Sequence, residues 1–326
     1  MATMELIGAA GMTEELRNYY DMKLLMTAVP NFVFMNYGEK RPIPASQGKC
    51  INFRRFEKIT LPTGSYILTE GTPPTVTNAT VSKVEATISQ YGQYSQLSDI
   101  LDTQSIDPIL TEYAGAFAVA MSEGLDIVVR DIVDAGTTIQ YADAAARVGT
   151  SGVVDSVGSG MFLDAAEILE AVRTLKRNNA KPIEDNRYIC ILHPDNTKDL
   201  FEDSDITDSF IHAGNRGGDN PMFTGVLGDW QGVRFVETTN LKVHSSYGMS
   251  GADVYEVVML GKEAYGISEL SALSAKMIIH PRGTGGHTDP LEQYSTVGWK
   301  AALACTILNN DFLVVIMCNS SRVTAA

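Results

Sequence analysis

KCINFRRFEKI at Lys49–Ile59 and TVSKVEATISQYGQYSQLS at Thr80–Ser98 are the two stretches that decide how this chain is read. In the second, Val84, Ala86 and Ile88 alternate with Lys83, Glu85, Thr87 and Ser89, and a period of two marks a strand with one buried face. Between them PTGSYILTEGTPPTVTN, residues 62–78, is rich in Gly, Pro and Thr, which suits a turning tip better than a third packed element. The pair predicts a long two-stranded hairpin over residues 49–98. An isolated ribbon of two strands is marginal in water. Something outside it must cover its apolar face, and a second copy of the same chain is the first candidate.

Toward the N-terminus the first residues are small and weakly patterned. Thr13 can cap a helix that runs on to Leu25, and the two prolines of YGEKRPIP predict an extended arm. Toward the C-terminus the pattern changes at Asp107-Pro108, an N-cap acceptor followed by Pro at the first helical position. An apolar stripe of Ile109, Tyr113, Ala116, Phe117, Ala120, Leu125, Ile127, Val128 and Ile132 then runs to a stop at Gly136. The helix so predicted is about 28 residues long, about 42 Å at 1.5 Å per residue, and needs a sheet or another helix beneath it. It reads as the spine of a domain. Glu112, Glu123, Asp126 and Asp131 rule it out as a membrane span. Gly115 and Gly124 each weaken it by about 1 kcal/mol relative to Ala.

Residues 137–160 dissolve into Gly, Ala and Ser, a loop or a short hairpin. A second helix starts at Asp164 with Glu167 as a capping box and ends in Lys176, Arg177 and Asn178, which suit the negative end of the dipole. A strand at Tyr188–Leu192, a short helix around Thr197–Phe201 and further strands at Val233–Thr238, Val254–Leu260, Lys276–His280 and Leu291–Leu308 follow. Asn309-Asn310 then predicts a hairpin turn at positive φ into DFLVVIMC, Asp311–Cys318. Helices and strands are segregated, so the fold class is α+β.

The net charge of −14 over 326 residues argues against a chain that grips nucleic acid with a basic surface. The charge is uneven. Residues 1–100 are balanced, so the whole acidic excess falls after position 100, while Lys40, Arg41, Lys49, Arg54, Arg55 and Lys58 face only Glu39 and Glu57 in their stretch. A locally basic arm on an acidic body is what complementary self-association would use.

No catalytic residue, cofactor or metal is called for by any motif. His193, His212, His244, His280 and His287 lack metal-binding spacing, and His193 before Pro194-Asp195 is explained by a turn. Asp203, Asp205 and Asp208 resemble a calcium loop, but its sixth position is Asp208 where Gly is needed and its twelfth is Gly214 where Glu is needed. The Gly-rich stretches 214–221 and 282–290 do not end in GK[ST] and read as surface loops. Cys50, Cys190, Cys305 and Cys318 have no CxxC spacing and read as thiols of a reducing compartment.

The strings NYYDMKLLMTAVPNFVFMNYGEKRPIP, INFRRFE, LTEG, QYGQYSQLSD, SIDPILTEYAG and EQYSTVGWKAA, in this order from Asn18 to Ala302, resemble the phage N4-type major capsid protein family. The resemblance implies an HK97-like fold: an N-terminal arm over residues 1–48, an E-loop hairpin over 49–98, a peripheral domain with its spine helix over 99–150, an axial domain over about 151–270, and C-terminal strands over 271–326 completing the sheets.

It further implies a structural protein, not an enzyme, whose hexamers and pentamers form the icosahedral shell of a tailed bacteriophage around double-stranded DNA. The shell would enclose the DNA without sequence-specific binding, and would assemble in the host bacterial cytoplasm before serving in the virion. A separate scaffolding protein, a portal and a decoration protein would be partners. Arg54, Arg55 and Glu70 are the candidate intersubunit contacts. No Lys–Asn pair for covalent cross-linking is identifiable. The alternatives are an encapsulin-like compartment that shares the fold and, from a different class, a soluble α+β enzyme whose site assembles from distant residues.

Overall fold

The protein is seen in a computed structural model that describes residues 33–43, 48–56, 59, 70–72, 78–105, 109–142, 148–149, 161–184, 186–212, 228–248, 251–269, 275–283 and 290–321. The helix expected from Thr13, the Asp107-Pro108 cap, most of the hairpin tip and the two Gly-rich loops lie outside these residues.

A single helical turn, α1 (Phe34–Tyr37), leads into β1 (Glu39–Lys40), β2 (Cys50–Phe56), β3 (Val81–Thr87) and β4 (Ser89–Ser98). Ser98 accepts the Leu101 amide and starts α2 (Asp99–Gln104), which is followed by the long α3 (Ile109–Val133). Next come β5 (Ile139–Tyr141), β6 (Val148–Gly149), α4 (Ala165–Arg177), β7 (Tyr188–Leu192), α5 (Pro194–Glu202) and α6 (Ser204–His212). The remaining strands are β8 (Asp229–Trp230), β9 (Val233–Glu237), β10 (Val243–His244), β11 (Val254–Leu260), β12 (Tyr265–Glu269), β13 (Lys276–His280), β14 (Tyr294–Ile307) and β15 (Leu313–Cys318).

These strands make two large sheets and one ribbon. The five-stranded sheet runs β1-β12-β14-β13, with β4 on the other side of β14. The eight-stranded sheet runs β6-β5-β15-β11-β7-β9-β8, with β10 beside β11. Every residue of β7, β11 and β15 is buried. Continuous runs such as YICIL and VVIM suit strands covered on both faces, where no polar face is required. One such cover is α4, whose Ile168, Ala171, Val172 and Leu175 join the main core.

The expected spine helix is present as α3, 25 residues and about 37 Å long at 1.5 Å per residue. Its buried residues are Ile109, Phe117, Leu125, Asp126, Val129 and Val133, so the stripe differs from the one expected: Ala116 is exposed, while Val129 and Val133 are fully enclosed. The helix lies across β14, with Ile109 and Phe117 packed on Val297 and Leu97. No described helix is long and apolar enough to cross a membrane.

Three expectations need correction. The second arm expected as one strand over Thr80–Ser98 divides at Ile88: β3 pairs with β2, while β4 leaves the hairpin and pairs with β14 along its whole length. The hairpin is therefore shorter than residues 49–98. Asn309-Asn310 does not turn a hairpin, because β14 and β15 belong to different sheets. Asn309 is instead extended, with φ −148°, and caps a 3₁₀ turn at Asn310–Phe312. Nor do the sheets follow contiguous cuts near 150 and 270: β5 and β15 lie in the eight-stranded sheet with β7 and β11, while β12 lies in the five-stranded one with β13 and β14.

Candidate intersubunit surface

The ribbon of β2 and β3 has two unlike faces. Its register pairs Ile51 with Ala86, Phe53 with Val84 and Arg55 with Ser82 on one face, and Asn52 with Glu85 and Arg54 with Lys83 on the other. At its root the first face is covered by the chain's own five-stranded sheet, where Phe53, Ala86 and Ala304 form a small core with Ile51, Val84, Ile88 and Leu308. The ribbon thus has an intramolecular anchor that the sequence reading did not include. Gly266 makes the anchor fit: a Cβ there would lie 2.8 Å from Phe53 Cζ, so only a glycine lets the ring rest on the β12 backbone. The Arg41 guanidinium covers the Phe53 ring at 5.6 Å, a cation–π contact that ties the arm to the same point.

Beyond the root the ribbon is exposed and basic. Arg54 and Lys83 face each other across the strands, an arrangement that disfavours the isolated ribbon because like charges are directly opposed. Lys83 is partly compensated by Glu85 at 3.2 Å on the same strand, and Lys83 in turn holds the exposed Glu85 carboxyl below its usual range. Arg54, Arg55 and Glu70 are all exposed, and none has an ion-pair partner among the described residues. The structure does not bring the three together: Arg54 and Arg55 point to opposite faces, and Glu70 stands in the turn Glu70–Gly71 far along the hairpin.

The arm is held by a buried acid. Asp126 on α3 has no exposed surface and accepts the amides of Met35 at 3.0 Å and Val33 at 3.5 Å, serving α1 as the cap that its own N-cap residue Val33 does not supply. Burial pushes the Asp126 carboxyl up, and the amides oppose that shift. Tyr265 donates its hydroxyl to the Phe34 carbonyl at 2.5 Å, and β1 pairs in parallel with β12. Sequence analysis placed Asp126 on the helix only as an argument against a membrane. The missed signal is an acid between Leu125 and Val129 on the apolar stripe, a position that requires partners.

On the face of the five-stranded sheet opposite α3 lies an open groove of 540 Å³. Cross-strand register places Tyr94, Gly298 and Ile278 in one row, flanked by Lys300 and Lys276 on one side and by Thr296 and His280 on the other. Gly298 keeps the floor flat, since a Cβ there would lie 2.7 Å from both the Gln93 carbonyl and Tyr94 Cβ.

His193 and Asp203, both singled out in the sequence, have local roles. His193 Nδ1 accepts the Asp195 amide at the start of α5. Asp203 accepts the Ala165 amide at 2.8 Å and the Asp205 amide at 2.8 Å, so it serves two helix starts. Among the described residues no three His, Cys, Asp or Glu side chains converge as metal ligands.

A family model described as phage capsid protein matches residues 81–304, well over half of the chain. No curated protein matches the sequence. Among solved structures the fold is similar to the capsid asymmetric unit of cyanophage Pam1, with TM-score 0.72, 13% identity and coverage of 98% of this chain and 100% of that one. The capsid of Ralstonia phage GP4 gives TM-score 0.70 and 13% identity, with 100% of each chain covered. The capsid of Helicobacter pylori bacteriophage KHP30 gives TM-score 0.69 and 12% identity over 97% of this chain and 99% of that one. These matches favour a phage shell over an encapsulin-like compartment or a soluble enzyme, and the matched family is phage capsid proteins. The hairpin, the long helix across a sheet and the matched residues 81–304 lead to one conclusion: the chain belongs to the phage capsid protein family and is a bacteriophage major capsid protein with the HK97-like α+β fold.

Proposed function

We propose that copies of this chain assemble into hexamers and pentamers in which the basic face of each β2–β3 ribbon lies over an acidic surface of the neighbouring copy. In this reading the five-stranded sheet with α3 is the peripheral domain, the eight-stranded sheet the axial domain, residues before 49 the arm, and the ribbon with its tip the E-loop. The carrying observation is the Arg54–Lys83 juxtaposition on an exposed ribbon whose opposite face is already anchored at its root. Two opposed cations on a −14 chain gain when carboxylates of another copy approach them, and that gain grows as water is excluded. Arg54, Arg55 and Glu70 then contact neighbours on different sides: Arg54 through the basic face, Arg55 through the opposite one, Glu70 through the tip.

The role is mechanical and not enzymatic, and the shell encloses double-stranded DNA without reading its sequence. The acidic excess supports loose enclosure, since phosphate binding needs Lys and Arg in excess. Assembly in the host bacterial cytoplasm, with a separate scaffolding protein, a portal and a decoration protein, is what the family resemblance implies. Negative-stain microscopy of the expressed protein tests the assembly: shells or capsomers are expected, and small oligomers of uniform size under all conditions would sink it. Deleting residues 62–79 is expected to leave a folded subunit that assembles poorly, and unchanged assembly would remove the ribbon tip from the joint.

A further inference from the structure

The end of α3 is attached to the eight-stranded sheet through a group of buried charges that neither the family nor the proposed shell contacts account for. Asp134, one residue past the helix, has a side chain with no exposed surface, and Glu256 on β11 is only 3% exposed. Both carboxylate oxygens of Asp134 and Oε2 of Glu256 are enclosed without a donor. Yet the two carboxyls are within hydrogen-bonding reach of each other.

Among the described residues, charged groups face them from α3, from β10 and from the segment ahead of β10. From α3 come Arg130, whose Nε is 3.7 Å from Asp134 Oδ2, and Asp131, which takes Arg130 Nη2 at 2.6 Å. Arg130 also donates to the Asn240 carbonyl at 2.8 Å, so its charge is divided among three acceptors. From the segment ahead of β10 comes Lys242, 3.5 Å from Glu256 Oε2, and from β10 itself His244, whose Nε2 is 2.7 Å from Glu256 Oε1. No metal-ligand cluster exists here among the described residues. Glu256 has its own cations, whereas Asp134 has only a distant share of Arg130.

We infer that Asp134 carries a proton that it donates to Glu256, a hydrogen bond that latches the end of the spine helix to β10 and β11, and that loss of this proton loosens the joint. With the proton in place the enclosed oxygens gain a donor. Without it two negative charges meet in a site from which water is excluded, and repulsion and desolvation both drive the helix end outward. Burial first and the Glu256 charge second push the Asp134 carboxyl up to about 8, with Lys242 and Arg130 opposing.

The sign follows from linkage. An aspartate is ionised in the unfolded chain above about pH 4, so between there and about pH 8 folding takes up a proton. The stability contributed by the latch is complete at low pH and is lost as pH rises through that range.

Urea unfolding of the full chain from pH 5 to pH 9, wild type against Asp134→Asn, tests the latch, because the Asn amide donates to Glu256 without titrating. The wild-type unfolding constant is expected to rise about tenfold per pH unit relative to the variant between pH 5 and pH 7, then level off above pH 8. Hydrogen-exchange protection factors at residues 130–136, from which the base-catalysed intrinsic rise with pH is removed, are expected to fall with pH in the wild type only. Parallel unfolding profiles, or protection with the same pH dependence in both proteins, would overturn the inference. If Asp134→Asn does not fold, Glu256→Gln carries the same two measurements: Asp134 stays buried but loses the Glu256 charge, so the variant's unfolding constant is expected to level off at a lower pH than the wild type's, and coincident profiles would overturn the inference.

Discussion

The Asp126 carboxylate, enclosed on the apolar side of the spine helix, accepts the Met35 amide at 3.0 Å across 91 positions of sequence. The arm is thereby drawn into the core: half-buried Met35 packs against it, Phe34 is 0% exposed and Val33 is 3% exposed. The arm, the helix and β12 meet at this point, since Tyr265 holds the Phe34 carbonyl from the other side.

Asp126→Ala leaves the Val33 and Met35 amides without acceptors in a buried site and is expected to cost about 1–3 kcal/mol. Asp126→Asn, which retains an acceptor oxygen, is expected to cost less. Urea unfolding measures both, and limited proteolysis near residues 33–43 should detect a freed arm in the alanine variant. Equal resistance of all three proteins would mean that Asp126 does not hold the arm.

Phe53 and Gly266 are expected to be strongly non-additive. Gly266→Ala places a methyl 2.8 Å from Phe53 Cζ, and overpacking of this kind costs about 1–3 kcal/mol. Phe53→Ala costs about 3–5 kcal/mol through the lost core at the ribbon root. In the double variant the clash is absent, so the summed single costs should exceed the double cost by at least about 0.5 kcal/mol. Simple additivity would show that Phe53 does not rest on Gly266.

Arg54→Glu separates folding from assembly. Across from Lys83 it replaces a repulsive pair by an attractive one, so the free subunit should be as stable or gain up to about 1 kcal/mol. Assembly, followed by light scattering and sedimentation, should fall. Shells formed at the wild-type rate would exclude Arg54 from the contact between copies.

The four thiols should react in a set order. Burial pushes Cys190 and Cys305 each up to about 12 and Cys318 well above its ordinary value. A buried thiol stays protonated at pH 8 and is a poor nucleophile. Cys50, half-exposed on β2 beside Thr87 Oγ1 at 3.4 Å, should therefore be alkylated first by iodoacetamide. Peptide mass mapping that finds Cys190 or Cys318 modified before Cys50 would contradict the packing of the eight-stranded sheet.

Much of the fold was legible from local pattern. The long helix, the Asp164 cap, and the strands at Tyr188, Val233, Val254 and Lys276 occur where periodicity and capping chemistry place them. The candidate surface was legible only in part. Alternation identified the ribbon and its basic arm, but could not show that Arg54 and Lys83 are cross-strand neighbours, because register depends on the partner strand. The same limit hid the divided second arm: SQYGQYSQLS alternates as readily against β14 as against β2.

By itself the sequence determined the long helix, the Asp164-capped helix and most of the long strands, where the charge lies, and that the ribbon lacks a core of its own, since each follows from side chains within a few residues of one another. Only the tertiary structure decided that Ser89–Ser98 belongs to the five-stranded sheet, that Leu313–Cys318 crosses to the other, and that Asp126 and Asp134 are enclosed against Met35 and Glu256. Those facts are contacts between residues far apart in the chain. Their energies come from burial and pairing, which exist only once both partners have been brought together.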